Sequence, residues 1–86
     1  MKQRRKGYGD KNICGANVER IRKQRGMKQA TLAAKMQLLG VDINLSSLSK
    51  LEGQMRIATD IELNAIAQIL GVSMEELVRT ETQATE

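Results

Sequence analysis

The side chains of this 86-residue sequence are suited to binding and poorly suited to covalent chemistry. Histidine is absent, and the single cysteine, Cys14, has Gly15 beside it and no neighbouring base. The sequence shows no pair of carboxylates spaced to meet in a catalytic site, and it lacks the usual ligands of a conventional zinc site. The remaining polar groups act mainly by hydrogen bonding and charge. We therefore expect a binding protein with no enzymatic activity, no cofactor, no metal and no small-molecule substrate.

The charges are divided unevenly along the chain. Residues 1–35 carry eleven Lys and Arg against Asp10 and Glu19, which gives a net charge of +9. Residues 57–86 carry Arg79 against six acidic residues, which gives −5. A basic front and an acidic rear indicate a surface directed at a polyanion. Small basic domains with a merely solvated surface are also common, so charge alone leaves both interpretations open.

Five helical patterns lie between residues 12 and 79, and no stretch alternates with the two-residue period of a β-strand. Leu48 and Leu51 give the third helix an apolar side, whereas its Ser and Lys residues lie on the other. Glycines end the first four patterns, at positions 26, 40, 53 and 71. The core is expected to be aliphatic, because Phe and Trp are absent. The predicted fold class is all-α, a compact bundle of five helices.

Capping residues mark where three of these helices begin. Asn44 precedes the third helix and is a favoured N-cap. Thr59 with Glu62, and Ser73 with Glu76, form capping boxes before the fourth and fifth helices. In such a box the hydroxyl and the carboxylate each satisfy a free amide of the first turn.

Three segments together resemble the Cro and lambda-repressor-like (XRE-type) helix-turn-helix family. Residues 21–33 (IRKQRGMKQATLA) are similar to the first half of such a domain, and residues 48–52 (LSKLE) to the second half of its recognition helix. Residues 66–77 (IAQILGVSMEEL) are similar to its last two helices. They occur in the family's order and cover roughly residues 13–78. The resemblance implies a DNA-binding domain whose second helix crosses the DNA backbone. The third helix, about residues 45–53, would lie in the major groove.

The resemblance also implies roles for individual side chains. Gln29 matches the Gln that opens the second helix and contacts phosphate, where free amides favour an anion. Leu45 and the Ser and Lys residues of the third helix match positions that face base edges. Arg22 and Glu52 match a buried ion pair between the first and third helices, and Arg56 matches a loop contact with phosphate. The residues predicted to contact DNA are Lys28, Gln29, Asn44, Leu45, Ser46, Ser47, Ser49, Lys50 and Arg56.

Plainer interpretations of these residues remain open. A Ser-rich first turn also caps a helix without touching a ligand, and Leu45 could meet a thymine methyl group or simply pack. Arg22 and Glu52 could be two solvated charges.

The connection between the second and third helices departs from the family pattern. Residues 37–47 separate Met36 from Leu48, eleven positions in all, which is longer than is common in the family. We expect the second helix to gain a turn and the loop around residues 40–42 to be enlarged, while Asn44 still caps the third helix. The docking angle and the set of base-facing residues depend on this connection.

A single domain at residues 12–79 is predicted, with disordered tails at residues 1–11 and 80–86. The basic residues 2–6 could follow the DNA backbone, enter a minor groove, or serve as a solubilising end. No apolar stretch approaches the length of a membrane span. With one unpaired cysteine, the cytoplasm is the expected location.

The sequence supports two classes of function. The first is a sequence-specific, double-stranded DNA-binding transcriptional regulator, and a repressor is the commoner role in the family. A homodimer is expected because one recognition helix reads only a few base pairs, and its interface is placed around Met74 and Leu77. The alternative is a protein-interaction or antitoxin-like helical module that uses the acidic rear. A steep dependence of binding on salt would distinguish DNA from a protein partner.

Overall fold

The computed structural model describes residues 9–80 and folds them into five α-helices, with no strand in that range. The helices are α1 (Gly15–Gln24), α2 (Gln29–Leu38), α3 (Leu45–Glu52), α4 (Asp60–Leu70) and α5 (Met74–Val78). The all-α prediction is confirmed. None of these helices is long and apolar enough to cross a membrane. The basic residues 2–6 and most of both predicted tails lie outside the described residues.

The capping chemistry of the sequence sets the starts of α4 and α5. At α4, Glu62 N donates to Thr59 Oγ1 at 3.1 Å, and Thr59 N donates to Glu62 Oε1 at 3.0 Å. Ser73 and Glu76 repeat this arrangement at α5. Gly71, with a φ of 74°, ends α4 in the left-handed conformation that glycine adopts without steric cost.

An aliphatic core to which every helix contributes holds the domain together. Burial of each large aliphatic side chain stabilises the fold by about 1.5–3 kcal/mol relative to its exposed state. Fully buried aliphatic residues of this core are Val18, Leu32, Met36, Leu48, Leu51, Ile66 and Leu77. Both α1 and α2 pack against α3, and α4 packs against α1, α2 and α5. The third helix is therefore held from two sides.

The position of α5 corrects one expectation about dimerisation. Leu77 has no exposed surface and belongs to the core, so it is not available to a partner. Met74, the other residue assigned to the interface, is 38% exposed. The apolar character of Leu77 suggested an interface, but the sequence could not show that the bundle already covers this residue.

The chain between α2 and α3 is anchored in spite of its length. Val41 N donates to Met36 O at 3.0 Å, just past the end of α2. Gln37 Nε2 donates to the carbonyl oxygen of Ile43, and the Ile43 side chain is buried. These contacts fix the point at which Asn44 begins the next helix.

The first described residues pack along the chain that follows α3, although the sequence assigned residues 9–11 to a disordered tail. Gly9 N donates to Gly53 O at 2.8 Å, and Lys11 N donates to Gln54 O at 2.9 Å. Gln54 Nε2 in turn donates to Asn12 O at 2.8 Å. A Cβ at Gly9 would lie 2.3 Å from Gln54 O, so this close approach requires glycine. The ordered part of the chain therefore includes Gly9, three positions before the predicted boundary.

Candidate nucleic-acid interface

α3 has a buried side and an exposed side. Leu48 and Leu51 have no exposed surface and fix the helix to the core. The residues on the opposite side are all exposed, and they recur at intervals of three and four positions, so they form one strip. This α3 strip consists of Leu45, Ser46, Ser49 and Lys50. The helix expected at residues 45–53 is present, and its polar side faces outward.

The N-terminus of α3 is capped by Asn44. Asn44 Oδ1 accepts a hydrogen bond from Ser47 N at 2.8 Å, and Asn44 itself is exposed beside the first residue of the strip. Ser47, which the sequence grouped with the outward-facing residues, is only partly exposed. Asn44 therefore combines a capping role with a position at the edge of the exposed surface, and Ser47 lies at the border of that surface.

The N-terminus of α2 opens beside the α3 strip. Lys28 is the N-cap residue, its side chain makes no capping hydrogen bond, and the first turn contains no acidic residue. The free amides and the positive end of the helix dipole favour an anion at this position. A shallow groove joins the two helices and is lined in part by Gln29, Ser49 and Lys50. The fold thus brings the two predicted contact segments onto one surface.

Glu52, at the end of α3, ties this surface to α1 and α2. Glu52 is 2% exposed and accepts from Arg22 Nε at 2.7 Å, from Arg22 Nη2 at 2.9 Å and from Gln29 Nε2 at 2.8 Å. Arg22 Nη1 also donates to Met27 O at 2.7 Å. Across residues 9–80, no buried side-chain nitrogen or oxygen lacks a hydrogen-bond partner. The ion pair between Arg22 and Glu52 is therefore buried and satisfied, and it fixes the position of α3 relative to α1.

α1 begins directly against the end of α3. A Cβ at Gly15 would lie 2.2 Å from Leu51 O and 2.8 Å from Glu52 O. Asn12 Oδ1 accepts from Gly15 N at 2.8 Å, and Asn12 Nδ2 donates to Leu51 O at 3.1 Å and to Arg56 O at 2.8 Å. No role for Gly15 or Asn12 is evident from the sequence alone. Their function depends on residues roughly forty positions away, and nothing in the local pattern reports such a contact.

Arg56, which the sequence assigned to a phosphate contact, turns its guanidinium toward the protein. Arg56 Nη1 and Nη2 donate to the two carboxylate oxygens of Glu62 at 3.0 and 2.9 Å. Arg56 Nε donates to Ser47 O at 3.0 Å, and Nη1 also donates to Ile57 O at 2.9 Å. Burial alone would raise the pKa of Glu62, but hydrogen bonds from Arg56 and Thr59 outweigh it and hold this pKa below its usual value. The phosphate contact predicted for Arg56 conflicts with this geometry.

The order and packing of these helices agree with a known family. A family model described as helix-turn-helix matches residues 18–77, from the first turn of α1 into α5. The chain belongs to this helix-turn-helix family. It is of the XRE and lambda-repressor-like type, and the family is one of DNA-binding regulators. No curated protein and no solved structure matches the chain.

In this helix-turn-helix domain the two helices of the motif are α2 and α3. The connection between them covers residues 39–44, longer than the usual turn of about three or four residues. α2 itself has ten residues and ends at Leu38. The loop therefore holds part of the additional chain, and the buried side chain of Ile43 attaches it to the core.

Cys14 lies in the core of the helix-turn-helix domain. Burial raises the pKa of its thiol to about 11, so the thiol is protonated and unreactive at neutral pH. Its Sγ lies 3.6 Å from Asn12 Oδ1. Across the part of the chain that the structure describes, no three His, Cys, Asp or Glu side chains are grouped to hold a metal ion. Helix-turn-helix regulators of this family are typically not enzymes.

Proposed function

We propose that this helix-turn-helix protein binds double-stranded DNA sequence-specifically and represses transcription in the cytoplasm. The observation that carries the proposal is the exposed α3 strip beside the open N-terminus of α2. The apolar residues Leu48 and Leu51 hold the opposite side of α3 to the core, so the strip is presented on a rigid base. A helix of this width fits the major groove of B-form DNA.

Base edges are read by the α3 strip. Lys50 has the length and charge to donate to the O6 and N7 acceptors of guanine. Ser46 and Ser49 carry hydroxyl groups that donate to or accept from several bases. Leu45, which is 48% exposed, offers an apolar contact to a thymine methyl group.

The DNA backbone is held at the N-terminus of α2. The free amides of its first turn receive a phosphate, and the exposed Lys28 adds a positive charge beside them. Gln29 uses one Nε2 hydrogen for Glu52 and retains a second donor for phosphate. Asn44 is exposed at the N-terminus of α3, and its side-chain amide is free to donate to a neighbouring phosphate of the DNA backbone. These contacts set the register of the strip on the duplex and carry no base information of their own.

The protein acts as a homodimer on a two-fold symmetric site. One α3 reads only a few base pairs, whereas two copies read half-sites separated by about one helical turn, roughly 34–36 Å. A dimer on such a site would repress by occluding a promoter. Analytical ultracentrifugation of the complex, together with the footprint length, tests this step. A single protected half-site bound by one chain would contradict it.

Selection of genomic fragments with purified protein, followed by footprinting, tests the interface. Lys50→Ala should weaken specific binding by about 1–3 kcal/mol and relax the preference at one base position. Lys28→Ala should weaken specific and non-specific binding alike and lower the salt slope by about one. Lys35→Ala removes the same charge at an exposed position of α2 outside the groove and serves as the control. Unchanged footprints for folded Lys50→Ala and Gln29→Ala would refute the assigned surface.

A protein partner is the second candidate, and exposed apolar residues favour it. Leu38, Ile57 and Ile61 are 86%, 73% and 67% exposed, and all three lie outside the α3 strip. An antitoxin-like module would bury such residues against another protein. Binding through them should hardly respond to salt, whereas binding to DNA should weaken steeply as salt rises.

A further inference from the structure

Arg56 joins α3, the loop that follows it and the start of α4 through the hydrogen bonds of one side chain. Its guanidinium bonds to Ser47 O in α3, to Ile57 O in its own loop and to both carboxylate oxygens of Glu62 in α4, at 2.9–3.0 Å. The Arg56 side chain is 23% exposed and that of Glu62 is 11% exposed. This is a planar, two-pronged pair, the geometry in which Arg fixes orientation as well as charge.

The bond to Ser47 O acts in the first turn of the recognition helix. A helix carbonyl uses one lone pair for the amide four residues later, and its second lone pair is free for another donor. Ser47 lies between the two halves of the α3 strip, with Ser46 before it and Ser49 and Lys50 after it. α3 has only eight residues, so a tie at this point restrains the rotation and tilt of the whole helix.

Glu62 carries this restraint to α4. The same carboxylate that pairs with Arg56 accepts from Thr59 N at 3.0 Å and completes the capping box. The start of α4 and the first turn of α3 are therefore joined through a single guanidinium. If Arg56 left this position for a phosphate, Glu62 would lose two charge-assisted hydrogen bonds while remaining largely buried.

We propose that Arg56 is a positioning residue that sets the angle at which α3 presents its strip to the bases, without itself contacting DNA. The proposal rests on the proposed function of α3 as the DNA-reading helix. It assigns part of the sequence selectivity to a pair, Arg56 and Glu62, that faces the interior of the domain.

The test measures specific and non-specific binding constants across a salt series for variants at this pair. Arg56→Met removes the charge and the hydrogen bonds, Arg56→Lys keeps the charge but not the planar fork, and Glu62→Gln keeps an acceptor but not the ion pair. Arg20→Met, on the side of α1 that faces α5, is the control for the loss of one positive charge. Binding constants are corrected for the folded fraction of each variant, measured by circular dichroism.

A positioning role predicts that selectivity falls while the number of ions released stays constant. Both Arg56 variants should lower the ratio of specific to non-specific affinity at least tenfold, with a salt slope equal to that of the unmodified chain. Glu62→Gln should lower the same ratio, although it removes a negative charge and so should not weaken non-specific binding. If Arg56→Met fails to fold, Arg56→Lys and Glu62→Gln provide the same comparison.

Two results would overturn the proposal. A phosphate contact would make Arg56→Met reduce the salt slope by about 0.9 and weaken both kinds of binding equally, while Arg56→Lys kept most of the affinity. An unchanged selectivity ratio in all three variants would show that the pair does not affect reading. Lys50→Ala, measured alongside, keeps the two proposals separate. If it lowers selectivity, α3 reads DNA whatever Arg56 does. If the unmodified chain shows no sequence preference, both proposals fail.

Discussion

Replacing Glu52 by Leu should remove most of the stability of this domain. The substitution leaves the Arg22 guanidinium, which is 8% exposed, without the carboxylate that accepts two of its hydrogen bonds. Breaking a buried pair by removing one partner costs about 3–5 kcal/mol. A domain of this size has a free energy of unfolding near the low end of the usual ~5–15 kcal/mol. With a urea m-value of about 1 kcal/mol/M, the midpoint should move by about 3–5 M, toward zero denaturant.

Urea unfolding at pH 7, followed by circular dichroism at 222 nm, measures this loss, and a double-mutant cycle assigns it to the pair. Arg22→Met should cost a similar amount, since it leaves the buried Glu52 carboxylate without its cation and with only the hydrogen bond from Gln29. The double variant should lose less than either single variant, because two apolar side chains of similar size replace the pair. Lys23→Met is the matched control. It breaks the surface pair with Glu19 at 3.2 Å, where Lys23 is 61% exposed, and should change stability by less than about 0.5 kcal/mol.

Coupling between Arg22 and Glu52 is refuted if the double variant loses the sum of the two single losses. That result would mean that Arg22 and Glu52 stabilise the fold independently of each other. A Glu52→Leu loss no larger than that of Lys23→Met would mean that the pair is solvated in solution.

Three further predictions concern pH and close packing. The pKa of Glu62 is lowered by folding, so its stabilisation is present above the unfolded value near 4.5 and is lost as pH falls below it, and Glu62→Gln should flatten acid unfolding there. Burial on folding raises the pKa of Cys14 from 9.0 to about 11. The contribution of the protonated thiol to the free energy of unfolding is therefore complete below pH 9 and is lost as the pH rises from about 9 to 11. Cys14→Ala should therefore lose less stability than the unmodified chain over that interval, and equal losses would contradict the assignment. Gly15→Ala should lower the free energy of unfolding by about 1–3 kcal/mol, because the added Cβ would lie 2.2 Å from Leu51 O. Gly53→Ala is the control: its added Cβ would lie 3.3 Å from the exposed Met55 side chain, so it should lower the free energy of unfolding by less.

The helices could be predicted because their signals are local. Thr59 and Ser73 stand three positions before a glutamate, and such a box depends only on residues within one helical turn. The spacing of Leu48 and Leu51 likewise records which side of α3 is buried. The resemblance to the family supplied the pairing of Arg22 with Glu52, which composition and periodicity alone do not indicate.

Contacts between distant segments could not be predicted in this way. Arg56 has the same appearance in the sequence whether it faces a phosphate or Glu62, and the difference lies in how the loop before α4 folds back onto Ser47. Gly9 and Gly15 resemble any glycine near a chain terminus until the carbonyl groups that they approach are known. Leu77 shares its apolar character with interface residues, and only the closed bundle shows that its site is already filled.

The polar contacts around α3 also account for how so short a helix can hold a reading surface. An isolated eight-residue helix is marginal in water, because nucleation costs more than a few hydrogen bonds return. Here Asn44 caps its N-terminus, Arg56 holds the Ser47 carbonyl of its first turn, and Glu52 joins its end to α1 and α2. None of these three ties uses a residue of the exposed strip. Substitutions in the strip should therefore change which sequence is bound while the fold stays intact. Substitutions at the ties should impair recognition through the position of α3, even where the affected side chains face away from DNA.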